Sequence, residues 1–285
     1  MKRLIALALL ISPILAAHSD ERDWREEERE TIHRTFHVAA GENVSKLLVD
    51  QIHGFIHVTG GSGAEIQVTV EKYIRAESKA ALADSKRDVK LDMTQQGNSV
   101  KLYEDGPFRS HDRGDRYYGY RVVFDCEIQV PAGASLDLHT LNSSIEVKNS
   151  AGDFKVHTLN GKVEMEEIGG SGSAETLNGS VKVAFSRNPA RESSFRTLNG
   201  SIGLYFHSNP DADLDLQTLH GSVYADFDVT TLPTTVKGEI SGNRFVYRTG
   251  GNMKVRAGKG GPELSLRTLN GSIRLHSAPS PSRDH

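Results

Sequence analysis

The 285-residue chain balances 34 Lys and Arg against 37 Asp and Glu for a formal net charge of −3, which leaves no electrostatic footprint for nucleic acid and no basic surface for a membrane. Cys126 is its only cysteine, so no intramolecular disulfide can form and stability has to come from burial and hydrogen bonds. The length is enough for one large or elongated domain.

At the N-terminus, Lys2 and Arg3 precede an apolar run from Leu4 to Leu15, and small residues follow. That order predicts a secretory signal peptide over residues 1–19, with cleavage after Ala17 or Ser19. The run is broken by Pro13 and is shorter than the roughly 20 residues that cross a bilayer, so no membrane span is expected in the mature form. Residues 20–44 read as a charged linker and a first strand. Ten of the eleven residues from Asp20 to Glu30 are charged, Trp24 being the exception, and such a run solvates itself as a linker or a frayed helix. Helix formers crowd Ala76 to Asp84, which predicts a short helical insertion near residues 76–86. Glu104 to Tyr120, with Gly106, Pro107 and Gly114 among many charges, reads as a mobile loop. Strands resume from Arg121 to Val130 and stop at Pro131-Ala132-Gly133. The Pro- and Ser-rich end, residues 277–285, reads as a disordered tail.

Self-similarity organises what lies between. Thr-Leu-Asn-Gly, then Ser or Lys, then Ile or Val, occurs at Thr158, Thr176, Thr197 and Thr268, with near-copies at Thr140 and Thr218. The marker residues Leu141, Leu159, Leu177, Leu198, Leu219 and Leu269 are separated by steps of 18, 18, 21, 21 and 50 residues. Thr235 to Ile240 matches a looser version of the motif and is expected to be a degenerate unit inside the long step; Ile52-His53-Gly54-Phe55-Ile56 matches it too, which starts the repeats near residue 45. The flanks of each corner alternate, as in Leu136 and Leu138 before one and Ile145 and Val147 after it, the signature of half-buried strands. A meander of antiparallel hairpins satisfies this pattern, as does a β-solenoid of stacked 18–21-residue coils over residues 45–276. The identity of the corners favours the solenoid, with the leucines in an internal column and Asn142, Asn160, Asn178, Asn199 and Asn270 in a side-chain ladder.

Tyr120 to Val130, then Pro131 to Leu136, then the Thr-Leu-Asn-Gly-Ser-Ile units resemble the bacterial putative adhesin family, a domain of unknown function similar to the head of autotransporter adhesins. The resemblance runs over roughly residues 45 to 275. It implies an all-β solenoid on an exported protein, in the periplasm or at the cell surface of a bacterium, with an adhesive role and no catalytic residues.

Repeated outward positions are the places to look for chemistry. His139, His157 and Glu175 stand at one phase and offer two imidazoles and a carboxylate to zinc, although a solvated ladder of polar residues is the simpler reading. Glu146, Glu164 and Lys182 share another phase, where paired carboxylates flank a glycan in polysaccharide-cleaving β-helices; a surface charge ladder is again simpler. Asp211, Asp213 and Asp215 alternate along one strand without a calcium-loop sequence. The four-residue spacing of His33 and His37, and of His53 and His57, suits a metal on a helix, but four residues of strand span about 13 Å. Phe108, Tyr117, Tyr118 and Tyr120 crowd one loop and read either as a binding surface or as a cap on the core. No catalytic residue, metal or cofactor is expected, and the binding candidates are Phe108, Tyr117, Tyr118, Tyr120, His139 and His157. The expected function is a non-enzymatic envelope protein that presents a rigid face to a surface glycan or an envelope protein. A polysaccharide-active β-helix lyase or hydrolase, or a purely structural spacer, are the alternatives.

Overall fold

The computed structural model describes residues 24–38, 45–109, 118–233, 238–241, 244–247 and 252–277. The expected signal segment, Tyr117, residues 235–237 and residues 278–285 of the expected tail lie outside them. The first third holds β1 (Glu26–His37), β2 (Lys46–Asp50), β3 (Ile56–Gly61), β4 (Glu65–Ala76), α1 (Lys79–Asp88), β5 (Lys90–Gln96), β6 (Ser99–Asp105) and β7 (Tyr120–Pro131). The repeats supply β8 (Ser135–Thr140), β9 (Ile145–Lys148), β10 (Phe154–Asn160), β11 (Val163–Ile168), β12 (Gly172–Asn178), β13 (Val181–Phe185), β14 (Ser193–Asn199), β15 (Ile202–Phe206), β16 (Ala212–His220) and β17 (Val223–Ala225). After them come β18 (Val229–Thr231), β19 (Gly238–Ser241), β20 (Arg244–Tyr247), β21 (Asn252–Ala257), β22 (Glu263–Asn270) and β23 (Ile273–Ser277).

Among the described residues, two large mixed sheets form, of ten strands (β1-β4-β7-β3-β9-β11-β13-β15-β23-β17) and eleven (β18-β21-β16-β22-β14-β12-β10-β8-β2-β6-β5). Neither sheet closes into a barrel. Each repeat gives its strand before the Asn-Gly corner to the eleven-stranded sheet and its strand after the corner to the ten-stranded one. Neighbouring repeats pair parallel and in register, Thr158 beside Thr176, Asn160 beside Asn178 and Val163 beside Val181. The period-two alternation turns Leu138, Val156, Ala174, Phe195 and Leu266 of one sheet toward Val147, Met165, Val183, Leu204 and Leu275 of the other, and all are buried in one apolar core.

The order in space differs from the order in sequence at both ends. The β2–β3 unit lies between β6–β7 and β8–β9, and the last unit, β22–β23, slides between β14–β15 and β16–β17. The step of 50 holds β17 to β21, of which β21 and β18 extend the eleven-stranded sheet antiparallel beyond β16. The expected degenerate unit is not part of the stack, because β19 pairs antiparallel with β20 in a separate two-stranded sheet.

The corner leucines correct the sequence reading. Leu141, Leu177, Leu198 and Leu219 are 43%, 37%, 38% and 66% exposed, so they form an outer row and not an internal column. The alternation that buries Leu136 and Leu138 must also bury Thr140 and turn Leu141 out. The interior place at each corner belongs to threonine, whose hydroxyl satisfies a carbonyl of the neighbouring corner: Thr158 to Ser143 O at 2.7 Å, and Thr176 to Gly161 O, Thr197 to Gly179 O and Thr268 to Gly200 O at 2.8 Å. Outside this column each Asn amide donates to the next Asn carbonyl, from Asn160 to Asn142 at 2.9 Å through to Asn270 to Asn199 at 2.7 Å. Glycine is required because the stacked backbones nearly touch; a Cβ on Gly179 would stand 2.0 Å from the Gly161 carbonyl oxygen.

The threonine column continues into the first units with larger polar residues. The register pairs Asp50 with His139 and with Tyr103, so Gln51 and Glu104 follow in the threonine position. Gln51 Nε2 donates to Gly54 O, and buried Glu104 accepts the Ile52 N–H at 2.5 Å. Glu104, expected in a loop, is therefore the end of the interior corner column. Burial pushes its carboxyl above the usual range, against the opposing pull of the Ile52 and His53 N–H groups and Arg109.

The charged run is also corrected. Residues 26–30 belong to β1, which pairs antiparallel with β4 and forms the free edge of the ten-stranded sheet. Charge along an exposed edge blocks edge-to-edge pairing with another sheet, which gives the run a physical role. The helical insertion is α1, begun by Ser78, whose Oγ accepts the Ala81 N–H, and carrying Lys86 and Arg87 in its last turn. No helix among the described residues is long and apolar enough to cross a membrane.

Candidate functional site

The outward residues of β9, β11, β13, β15, β23 and β17 line up across the ten-stranded sheet as Glu146, Glu164, Lys182, Gly203, Arg274 and Tyr224. One pleat further along, Tyr205 stands beside His276, and their rings stack at 4.8 Å between centroids and 17° between planes. Tyr205 is 39% exposed and Tyr224 54%. The Tyr205 ring lies over Gly203, where a Cβ would meet Cε2 in ordinary contact at 3.5 Å. Asp226 fixes the imidazole, its Oδ2 lying 3.2 Å from His276 Nδ1 while its Oδ1 accepts the Ser277 N–H at 2.8 Å. Cations flank the rings, with Lys182 Nζ 5.8 Å from the Tyr205 centroid and Arg274 Cζ 5.7 Å from that of Tyr224.

Next to the aromatics, Lys162 Nζ donates to Glu164 Oε2 at 2.8 Å and Lys182 Nζ to Oε1 at 3.0 Å. The Lys162 hydrogen bond, then that of Lys182, holds the Glu164 carboxyl below its usual range. A general acid for glycosidic cleavage needs the opposite shift, so Glu164 is suited to accept hydrogen bonds and not to deliver a proton. The face as a whole offers flat aromatic surface bordered by fixed donors and acceptors.

The aromatic residues expected from sequence lie elsewhere. Phe108, Tyr118 and Tyr120 pack on one another at the start of the stack, with centroids 5.2, 6.1 and 5.7 Å apart. Tyr120 is buried, and burial pushes its phenol up to about 12. Only Phe108 shows much surface, so these rings cap the core. His139 and His157 are neighbours on the eleven-stranded sheet, 5.9 Å apart, but His139 is held by Asp137 at 2.7 Å. Burial and the neighbouring His139 lower the His157 value. Glu175 lies 3.8 Å from Arg196.

Among the described residues no group of three or more His, Cys, Asp or Glu could hold a metal ion. The three aspartates take separate partners: Lys259 N–H for Asp211, Arg256 for Asp213 and Arg267 for Asp215. His33 contacts Thr69 and His37 contacts Glu65, on a strand that β4 and β7 separate from the strand of His57. Two shallow adjoining depressions of about 400 and 370 Å³ cross the eleven-stranded sheet, sharing Phe154, Lys155, Gly172 and Glu192, without an exposed ring.

Tyr205, Tyr224 and His276 were missed by sequence reasoning. The phase that picked out Glu146, Glu164 and Lys182 continues to Gly203, Arg274 and Tyr224, but only the observed order of units brings residues near 205, 224 and 276 together.

No family model matches this chain, and no curated protein matches its sequence. Solved structures similar to it include a putative cell adhesion protein from Clostridium sporogenes ATCC 15579, with a TM-score of 0.42, 10% identity, and coverage of 88% of this chain and 100% of that one. A putative adhesin from Bacteroides fragilis NCTC 9343 has a TM-score of 0.39, 11% identity, and coverage of 87% and 97%. A putative lipid binding protein from Parabacteroides distasonis ATCC 8503 has a TM-score of 0.21, 10% identity, and coverage of 87% and 97%.

Proposed function

We propose that this chain is an exported, non-enzymatic binding protein of the cell envelope with an adhesive role, whose repeats form a two-sheet β-solenoid and hold a surface glycan against the ten-stranded face. The solenoid reading is supported by the parallel, in-register repeats and by the threonine and asparagine rows that join one corner to the next. Export is supported by the basic, then apolar, then small-residue order of residues 2–19. The glycan reading rests on the exposed Tyr205–His276 stack beside Tyr224 and Arg274. Sugar rings present apolar C–H faces rimmed by hydroxyls, and this platform pairs flat aromatic surface with charged hydrogen-bonding neighbours. Tyr205 and Tyr224 lie two strands apart and two residues out of register, about 12 Å in all, so a chain laid obliquely across the strands meets both rings.

Affinity electrophoresis of the protein through gels containing soluble polysaccharides tests the reading. Tyr205→Ala and Tyr224→Ala are each expected to weaken retention about tenfold, the worth of about 1–1.5 kcal/mol for an aromatic contact. Equal retention of both variants would reject the site. Cleavage of the polysaccharide that disappears in Glu164→Gln would reject the non-enzymatic reading.

A further inference from the structure

The six corner leucines form an outer row that the fold does not require. Leu159, Leu177, Leu198, Leu269 and Leu219 stand on the adjacent strands β10, β12, β14, β22 and β16, Leu141 directly follows β8 beside β10, and the corner hydrogen bonds use the threonines and asparagines on either side of them. At about 4.8 Å per strand the row is about 24 Å long. Outward positions elsewhere on this sheet are mainly polar, whereas this row is apolar in every repeat, with Leu141, Leu177, Leu198 and Leu219 exposed and Leu159 and Leu269 half-buried, and such a row calls for a partner.

A second row, two residues earlier in each strand, says which partner fits. In spatial order it reads His139, His157, Glu175, Arg196, Arg267 and Gln217. Both rows have their midpoint between β12 and β14. A two-fold axis parallel to the strands at that midpoint reverses the order of units and keeps each row facing itself. Leu177 then meets Leu198 of a second copy, Leu159 meets Leu269, and Leu141 meets Leu219. Glu175 meets Arg196 in both directions, which is the self-complementarity an isologous interface demands.

We propose that two copies of this chain associate through the leucine row of the eleven-stranded sheet, about a two-fold axis between β12 and β14. The seven strands from β2 to β16 offer a face of roughly 650 Å², close to the ~800 Å² per partner of a standard interface. The arrangement leaves the two ten-stranded faces pointing away from each other. If both carry glycan sites, the dimer gains avidity on a multivalent surface. The dimer does not depend on the glycan reading, because a different surface carries it.

Sedimentation equilibrium of the exported chain gives twice the monomer mass in this account. Leu177→Glu with Leu198→Glu yields a monomer, as does Arg196→Glu, while Glu175→Arg combined with Arg196→Glu restores the dimer. Leu159 and Leu269 stand three strands apart within one chain, about 14 Å and too far for a disulfide, but face each other across the axis. Leu159→Cys with Leu269→Cys is therefore expected to give oxidised, covalently linked dimers, while neither single substitution does. A monomeric wild-type chain, or a leucine variant that remains dimeric, overturns the proposal. So does failure of the paired cysteines to cross-link in a chain that keeps its β-sheet circular dichroism. Vesicles of zwitterionic lipid that bind the wild-type chain but not the leucine variant would assign the row to a membrane and overturn it equally.

Discussion

Replacing Gly179 by alanine probes the stacking of corners at its tightest point. The added Cβ would lie 2.0 Å from the Gly161 carbonyl oxygen and 2.6 Å from its carbon, well inside any real contact, so two adjacent corners must move apart. That displacement works against the bonds that join the two corners, Gly161 N–H to Asn178 O at 3.0 Å and Thr176 Oγ1 to Gly161 O at 2.8 Å, beside the Asn178 to Asn160 amide bond at 2.8 Å. Two such bonds, broken with their carbonyls left unpaired, cost about 2–5 kcal/mol. For a domain of this size the thermal midpoint is expected to fall by about 4–20 °C. Gly133→Ala is the control, because a Cβ at that position meets nothing within 4 Å. Scanning calorimetry of the two variants decides the matter: a Gly179→Ala midpoint within about 1 °C of Gly133→Ala would refute the close-stacked corner.

Leu177→Asp is expected to shift stability by no more than about 0.5 kcal/mol, whereas Val183→Asp, which places a charge in the dry interior, prevents folding; circular dichroism melts compare them. Glu104 gives a pH signature. Its folded-state value is raised, so its contribution to stability is full below the usual carboxyl value and is lost as pH rises through the folded value. Glu104→Gln keeps an acceptor for the Ile52 N–H and is expected to raise the midpoint at neutral pH and flatten its decline as pH rises above the usual carboxyl range. An unchanged profile between wild type and variant would show that the buried carboxyl is not under strain.

Much of the architecture was legible because the corner motif is strict. Thr-Leu-Asn-Gly at a steady phase marked the adjacent repeats, and the alternation around it placed Leu136 and Leu138 of one sheet and Ile145 and Val147 of the other in the core, where they are buried. The same alternation, carried two residues past Leu138, would have placed Thr140 inside and Leu141 outside. Leucine's apolar character argued the other way, and what decided it was the hydroxyl's partner in the neighbouring corner, which no single repeat reveals. The corner glycine was anticipated for its conformational freedom, while the structure shows that backbone proximity excludes any side chain.

Two features were hidden for a different reason. The charged segment of β1 reads as a linker because nothing in its own sequence shows that it pairs with β4 across twelve residues. The aromatic face was hidden by the insertion of the last unit between its predecessors, which brings His276 beside Tyr205 across 71 positions of sequence. Sequence order alone pointed to the Phe108–Tyr120 segment, of which Phe108, Tyr118 and Tyr120 pack on one another.

The aromatic protons of the labelled protein, followed by NMR while a retained polysaccharide is added, test the functional assignment most directly. The account predicts that the ring signals of Tyr205, Tyr224 and His276 shift together and saturably, with those of Phe108, Tyr118 and Tyr120 unmoved. Shifts confined to the Phe108 cluster, or to His139 and His157 of the eleven-stranded sheet, would contradict it.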